Sequence, residues 1–241
     1  MWLRDPPSPH PTHIIQLGLI LGLVFYANII SNEVLDPAWH IPFHLGILGI
    51  ALVIARAAGT TWTAMGLRPD RAVRGLKVGA VVIGVIAAGI AIAIAIPQTR
   101  ELFRDERIID ATIASSLFQA LVRVPLATAL YEELLFRGIV FGMLMHRLKP
   151  ITAGILTSVL FGFWHILPTL DTIQTNPAGD AFSGFMGVTV AIFGSVLATG
   201  GAGLGFLLVR LYANSTWASV LMHIGTNSAA ILGSLFVIHL L

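Results

Sequence analysis

The feature that most constrains this chain is an apolar run over residues 78–96 that contains no charged residue. A helix of about 20 apolar residues crosses the ~30 Å hydrocarbon core of a bilayer, whereas membrane β-barrel strands are short and alternate in polarity. Charged residues make up only 11% of the chain, against roughly 25% in a typical soluble domain. The sequence therefore predicts a helical membrane protein.

Apolar segments of similar length recur along the chain. We predict an all-α, polytopic membrane protein with seven to eight transmembrane helices around a polar intramembrane cavity. A polar, proline-rich N-terminal segment (1–12) is expected to be cytoplasmic, and residues 13–241 are expected to form a single transmembrane domain. The predicted spans are 13–31, 40–58, 73–96, 112–146, 151–167, 183–212 and 216–241.

The fourth and sixth predicted spans are longer than a bilayer requires. Pro125 is a candidate kink in the fourth span, and Gly200-Gly201 is a candidate break in the sixth, which would give an eighth segment. Gly201 and Gly205 are expected to permit close helix packing.

The distribution of positive charge predicts the orientation of the spans. With the N-terminus inside, the outer loops carry three Lys or Arg residues, mixed with acidic ones. This bias favours a cytoplasmic N-terminus and fits a bacterial inner membrane, although an archaeal or organellar membrane would fit as well. The inner side carries nine basic residues: Arg4, Arg56, Arg68, Arg71, Arg74, Lys77, Arg147, Lys149 and Arg210.

Ionisable residues inside the fourth span need a partner or a function, because each costs about 2.5–3.5 kcal/mol at the bilayer centre on insertion scales. Glu133 and Arg137 are four residues apart, so they share a helix face and are expected to pair. Glu132 points about 100° away from Glu133 and is left for another role.

Two later spans also carry polar side chains. His165 lies in the fifth span, and His223 and Asn227 share one face of the seventh. We expect Glu132, His165 and His223 to converge in one cavity. By contrast, His40 and His44 lie near Trp39 at a span end and are interpreted as interfacial residues. Arg123 is expected to snorkel or to pair with an acidic group.

Three motifs follow one another on successive predicted helices: Glu132-Glu133-x-x-x-Arg137, Phe161-x-x-x-His165 and His223-x-x-x-Asn227. In this order and in a chain of this hydropathy, they resemble the CPBP (Abi) family. That family includes the type II CAAX prenyl endopeptidases and the bacteriocin-immunity proteins. The resemblance covers about residues 120–230, and segment 62–69 resembles the element that precedes a helix in this family.

The resemblance implies an intramembrane endopeptidase with a cytoplasm-facing cavity. Glu132 and His165 would activate a water molecule that hydrolyses a peptide bond, and His223 and Asn227 would stabilise the oxyanion. Glu133, Arg137 and Phe161 would support the site. The residue types agree with this chemistry, which needs a base for water and donors for the developing oxyanion.

Other interpretations stay open at this stage. Glu132, His165 and His223 could together bind a divalent metal such as zinc, although no compact His-Glu-x-x-His motif occurs. The chain has no cysteine, which excludes thiol catalysis and thiolate ligands. A non-catalytic scaffold or immunity protein and a proton-coupled transporter are the alternative functions. The expected partners are the lipid bilayer and a peptide or protein substrate entering from the membrane or the cytoplasm, with no nucleic acid.

Overall fold

In a computed structural model, which describes residues 13–175 and 182–241, the chain folds into seven long helices apolar enough to cross a membrane, and the described residues form no β-strand. The segment 1–12 predicted to be cytoplasmic lies outside the described residues. The long helices are α1 (His13–Val34), α2 (Pro37–Ala57), α3 (Pro69–Ala95), α4 (Ile113–Leu144), α5 (Pro150–Ile173), α6 (Gly184–Ala213) and α7 (Thr216–Leu240).

The predicted all-α membrane fold is confirmed, and the count within the described ranges is seven spans rather than eight. The largest difference in a helix end is in α5, which continues to Ile173 instead of ending at residue 167. The chain is therefore an integral membrane protein built from helices whose positions follow the apolar segments of the sequence.

The break expected at Gly200-Gly201 is wrong, because α6 is a continuous α-helix over Gly184–Ala213. Its glycines serve packing instead. A Cβ atom on Gly203 would lie 3.4 Å from the Ser158 Cα atom of α5, whereas one on Gly201 would meet nothing within 4 Å. The missing side chain at Gly203 lets α5 and α6 meet, and a Cβ atom on Gly205 would lie 3.7 Å from Met222 Cε of α7, so the predicted packing holds for Gly205 but not for Gly201.

Helix α4 continues through Pro125 but has an unusual geometry. It is π-helical over Gln119–Leu130 and again over Leu134–Val140, and one α-helical turn, Tyr131–Glu133, separates the two stretches. Proline has no N–H group to donate to the preceding turn, which favours a local departure from α-helical bonding. The wider winding coincides with the carboxylates, and π-helical turns are frequent at functional sites.

A break does occur in α5, at His165. The first piece is the α-helix Pro150–Trp164 and the second is the α-helix Ile166–Thr175. Pro168 lies four residues after Trp164, so the Trp164 carbonyl cannot receive its normal helical hydrogen bond. The missing N–H group of Pro168 therefore accounts for the break in α5, a helix for which the sequence predicts none.

Helix α4 is the centre of the bundle. Residues 131–143 are all buried, and α2, α5, α6 and α7 pack around them. The outer helices instead expose large apolar side chains, such as Phe25, Val85 and Phe193. The polar motif of α4 is therefore held inside the bundle rather than against lipid, as ionisable residues in a membrane require.

The segment 62–69 is fixed to the ends of two helices. The Thr216 Oγ1 hydroxyl donates to the Met65 carbonyl over 2.7 Å, and the Thr216 backbone N–H donates to the Gly66 carbonyl over 2.9 Å. Arg210, which is fully buried, donates from Nη2 to the Ala64 carbonyl over 2.6 Å. Arg210 is therefore an internal clamp on this segment and not only a loop charge.

Candidate active site

The pair predicted within α4 is present. Arg137 Nη1 lies 2.9 Å from Glu133 Oε1, and both side chains are almost completely buried. His223 of α7 joins them, with its Nδ1 atom 3.0 Å from the same carboxylate oxygen. A buried charge is stable in an apolar interior only when it is paired and hydrogen-bonded. Glu133 therefore ties α7 to α4 and holds the imidazole of His223 in place.

Aromatic rings surround this charged cluster. The Arg137 guanidinium lies over the ring of Phe161, 3.9 Å from its centroid, and His223 stacks on Phe206 with centroids 4.7 Å apart. A desolvated cation is stabilised by the face of an aromatic ring. Phe161, predicted as a supporting residue, is thus a direct neighbour of Arg137 and gives the cluster one of its walls.

Glu132 has a different environment. Its side chain is 7% exposed, and its Oε1 atom accepts a hydrogen bond from the Trp164 indole Nε1 over 3.3 Å. No protein group among the described residues bonds its second oxygen, Oε2. Because the indole is a neutral donor, this carboxylate has no positively charged hydrogen-bond partner there. The Oε2 atom of Glu132 is thus buried without a bond to any described protein group, as is the Oε2 atom of Glu133.

His165 lies at the break of α5 and is partly buried. Its Nδ1 atom lies 2.8 Å from the Phe161 carbonyl, which can only accept, so Nδ1 carries the proton of this bond. The neutral ring then presents Nε2 as an acceptor. His165 follows Trp164 directly, but no hydrogen bond joins it to Glu132 within residues 13–175 and 182–241.

Asn227 lies one helical turn beyond His223 on α7 and is partly buried. Its Oδ1 atom is 3.4 Å from the Thr226 hydroxyl, which is a long hydrogen bond. The structure thus joins Glu133, Arg137 and His223 into one hydrogen-bonded cluster. Glu132 contacts α5 through Trp164, and Asn227 has no recorded bond to that cluster in the described part of the chain.

The geometry can be tested against a bound metal. Across the described residues, no group of three or more His, Cys, Asp or Glu side chains is arranged so that it could hold a metal ion. Glu132, His165 and His223 do not form a ligand set here, although zinc needs three protein ligands in a typical catalytic site. The donor geometry therefore does not fit the zinc hypothesis.

Several contacts near the site were not predicted from the sequence. The main one joins α1 to α5: Asn28 Nδ2 donates to the Trp164 carbonyl over 3.1 Å. The sequence signals were the indole beside His165 and the proline at position 168, and neither identifies its partner. The sequence cannot show that α1, which carries no motif, contacts the motif-bearing helices.

The interfacial interpretation of His44 is wrong. Its side chain is buried, its Nδ1 bonds the Ala127 carbonyl over 2.7 Å, and its ring stacks on Tyr131 with centroids 4.3 Å apart. Arg123 pairs with His40 rather than with an acidic residue, with its Nη2 atom 2.9 Å from His40 Nδ1. Contacts with α4, rather than with the membrane surface, therefore account for these two histidines.

Comparison with known protein families finds a match to part of the chain. The family model described as type II CAAX prenyl endopeptidase Rce1-like matches residues 114–229, a little under half of the chain. This range includes all three motifs, so the resemblance inferred from them is confirmed, and at the family level it supports an intramembrane protease of the CAAX type. No curated protein and no solved structure matches the chain. Over residues 114–229, the chain is therefore similar to the Rce1-like family of type II CAAX prenyl endopeptidases.

Proposed function

We propose that this protein is an intramembrane endopeptidase in which Glu132, assisted by His165, activates a water molecule to hydrolyse a peptide bond. The observation that carries the proposal is the contrast between two adjacent carboxylates. Glu133 is paired with Arg137 and His223, whereas the described hydrogen bond of the buried Glu132 comes from the neutral indole of Trp164. A structural role needs the first arrangement, and a general base needs the second.

Glu132 takes a proton from water as the water oxygen attacks the peptide carbonyl carbon. The protonated carboxyl then gives that proton to the amine as the C–N bond breaks, so one residue serves as base and then as acid. The indole of Trp164, 3.3 Å from Oε1, holds the carboxylate while leaving Oε2 for water. His165 adds an acceptor: its Nδ1 is engaged with the Phe161 carbonyl, which makes Nε2 the ring nitrogen that can accept.

His223 and Asn227 are proposed to stabilise the oxyanion. Because His223 Nδ1 is bonded to Glu133, Nε2 is the ring nitrogen left for a substrate oxygen. Donation from Nε2 requires either a doubly protonated ring or a protonated Glu133 that donates to Nδ1. Asn227, one turn away on α7, would supply a second donor from its amide. Glu133 and Arg137 would then orient His223 rather than contact the substrate.

We also propose that the protein lies in a bacterial inner membrane with its N-terminus and the mouth of the cavity on the cytoplasmic side. The support is the excess of basic residues on one side of the seven helices. The chain has no cysteine, so single cysteines report orientation cleanly. A membrane-impermeant maleimide should label Asp110→Cys in intact cells, and Thr63→Cys only after the membrane is permeabilised. Labelling of Thr63→Cys in intact cells would reverse the orientation.

The decisive experiment measures cleavage by purified protein in proteoliposomes. A farnesylated CAAX peptide with an internally quenched fluorophore is the first probe, because the family description names such substrates. Glu132→Gln should lower the rate by about 10²–10⁴-fold, the range typical of a lost general base. The matched control is Glu33→Gln, which changes an exposed carboxylate of α1 and should leave the rate unchanged.

A second arm removes the dependence on one peptide. Glu132→Gln protein should retain substrates that the wild type cleaves and releases. Crosslinking followed by mass spectrometry should therefore detect membrane or cytoplasmic proteins that are enriched with the variant and not with the wild type. Wild-type cleavage after complete chelation supports the metal-free reaction, and cleavage restored by zinc alone would overturn it. Full activity of Glu132→Gln would refute the proposed role of this residue.

A further inference from the structure

The break in α5 leaves one backbone group without its helical partner. In a continuous α-helix the Trp164 carbonyl would accept from the N–H of residue 168, but that residue is Pro168, which has no N–H. Trp164 is buried and lies in a membrane-spanning helix, where an unpaired carbonyl is especially costly. Another part of the chain must therefore supply a donor.

Asn28 of α1 supplies it. Its Nδ2 atom donates to the Trp164 carbonyl over 3.1 Å, and the two residues are 136 positions apart in the sequence. The amide is itself oriented, because Asn32 Nδ2 donates to Asn28 Oδ1 over 2.9 Å and to the Asn28 carbonyl over 2.8 Å. With its oxygen engaged by Asn32, the Asn28 side chain directs its NH₂ group to α5.

The residue held in this way is the one that contacts Glu132. The Trp164 indole donates to Glu132 Oε1, and His165 follows Trp164 at the break. A fixed backbone at Trp164 therefore positions both the indole beside Glu132 and the backbone of the next residue, His165. The contact connects α1, which lies outside the residues that match the family model, to the centre of the candidate active site.

We propose that Asn28 is a positioning residue: it replaces the hydrogen bond that Pro168 cannot make and so holds Trp164 against Glu132. The inference rests on the proposed function for its catalytic consequence, but the position of Trp164 can be measured without any substrate. Asn28 acts through Trp164 and does not contact the reacting atoms.

The first test is spectroscopic. The indole N–H signals of ¹⁵N-tryptophan-labelled protein in detergent micelles report each tryptophan separately, and Trp164→Phe identifies the Trp164 signal. Asn28→Leu, which keeps the side-chain size but removes the donor, should shift or broaden that signal alone. Ser31→Ala is the matched control, because Ser31 is a buried residue of the same helix and its hydroxyl donates to the Ala27 and Asn28 carbonyls of α1 itself. It should leave the Trp164 signal in place.

The second test is rescue. Pro168→Ala restores a backbone N–H four residues after Trp164, so the double variant Asn28→Leu/Pro168→Ala should recover the wild-type indole signal. With the farnesylated peptide, Asn28→Leu should lower kcat about tenfold with KM changed less than twofold, and the double variant should return to within threefold of wild type. A merely structural role for Asn28 would lower the amount of folded protein and would not be rescued at position 168.

The outcomes separate the two proposals. An unmoved Trp164 signal in Asn28→Leu, or a shifted signal that Pro168→Ala does not restore, overturns the positioning role whatever the activity. A shifted and rescued signal in a protein that cleaves no peptide supports the positioning of Trp164 by Asn28 while the proposed peptidase function fails.

Discussion

The adjacent carboxylates Glu132 and Glu133 have different partners on the two sides of α4. On the side facing α7, Glu133 shares one oxygen between a guanidinium and an imidazole, and aromatic rings cover the cluster. On the side facing α5, the described hydrogen bond to Glu132 comes from a neutral indole. The arrangement around Glu133 is that of a structural ion pair, and the arrangement around Glu132 is compatible with binding a water molecule or a substrate.

The comparison teaches that burial alone does not distinguish structure from chemistry in a membrane. Glu132 and Glu133 are both buried, and they are neighbours in the sequence. What differs is the charge of their hydrogen-bond partners: a guanidinium bonds Glu133, whereas a neutral indole bonds Glu132, and each carboxylate keeps an Oε2 atom that no described protein group bonds. Substitutions of the Glu133–Arg137 pair should therefore mainly change stability, and those of Glu132 and Trp164 should mainly change catalysis.

The largest expected effect is on the Glu133 side. Arg137→Leu removes the guanidinium and leaves a buried carboxylate without its cation, which costs about 3–5 kcal/mol of unfolding free energy. SDS-induced unfolding followed by circular dichroism measures the loss. Glu132→Gln is the paired comparison and should change the unfolding free energy by less than about 1 kcal/mol, since the amide oxygen can still accept from Trp164. Equal losses of unfolding free energy in Arg137→Leu and Glu132→Gln would contradict the proposed difference between the two carboxylates.

Packing around the ion pair gives the next effect. A Cβ atom on Gly203 would lie 2.7 Å from Arg137 Nη2 and 3.2 Å from the Phe161 ring. Gly203→Ala should therefore cost about 1–3 kcal/mol through overpacking, as measured by the same unfolding titration. Gly201→Ala is the control on the same helix, because its Cβ would meet nothing within 4 Å. It should be neutral or slightly stabilising, as expected for an open helical position.

The sequence was sufficient for the features that depend on length or local spacing. Apolar run length predicted the seven spans, and the four-residue separation predicted the Glu133–Arg137 pair. It was not sufficient for contacts between distant helices. His223 meets Glu133 across 90 positions, and Asn28 meets Trp164 across 136. Such contacts depend on how helices pack, which no local pattern specifies.

The errors also have physical causes. Two adjoining glycines are a candidate break, but glycine permits a break without imposing one, and α6 stays continuous and packs closely against α5. Pro168 does remove a hydrogen bond, and the break lies just before it. The nearby Trp39 in the sequence favours an interfacial position for His44, whereas the His44 ring stacks on Tyr131 of α4.

A smaller effect is expected at the indole on the Glu132 side. Trp164→Phe keeps an aromatic ring but removes the donor to Glu132 Oε1. A hydrogen bond to a charged group contributes about 1.5–3 kcal/mol, so loss of this long one should lower kcat roughly tenfold by freeing the carboxylate. Cleavage of the farnesylated peptide measures it, with unfolding as the control for stability. A variant with wild-type kcat would show that the indole does not hold the base.

The smallest effect is expected next to Glu132, where His44 of α2 stacks on Tyr131 of α4. His44→Phe should retain the parallel ring contact, whose centroids are 4.3 Å apart, and lose only the 2.7 Å bond to the Ala127 carbonyl. It also removes His44 Nε2, a buried atom that no described protein group bonds. The lost bond, worth about 1 kcal/mol, is thus partly offset by the removal of a buried polar atom. The unfolding titration should show a change below about 1 kcal/mol, whereas His44→Ala, which also removes the stacked ring, should cost more. A large loss in His44→Phe would mean that the hydrogen bond, and not the stacking, holds α2 against α4, so that the Glu132 side too depends on polar contacts for its stability.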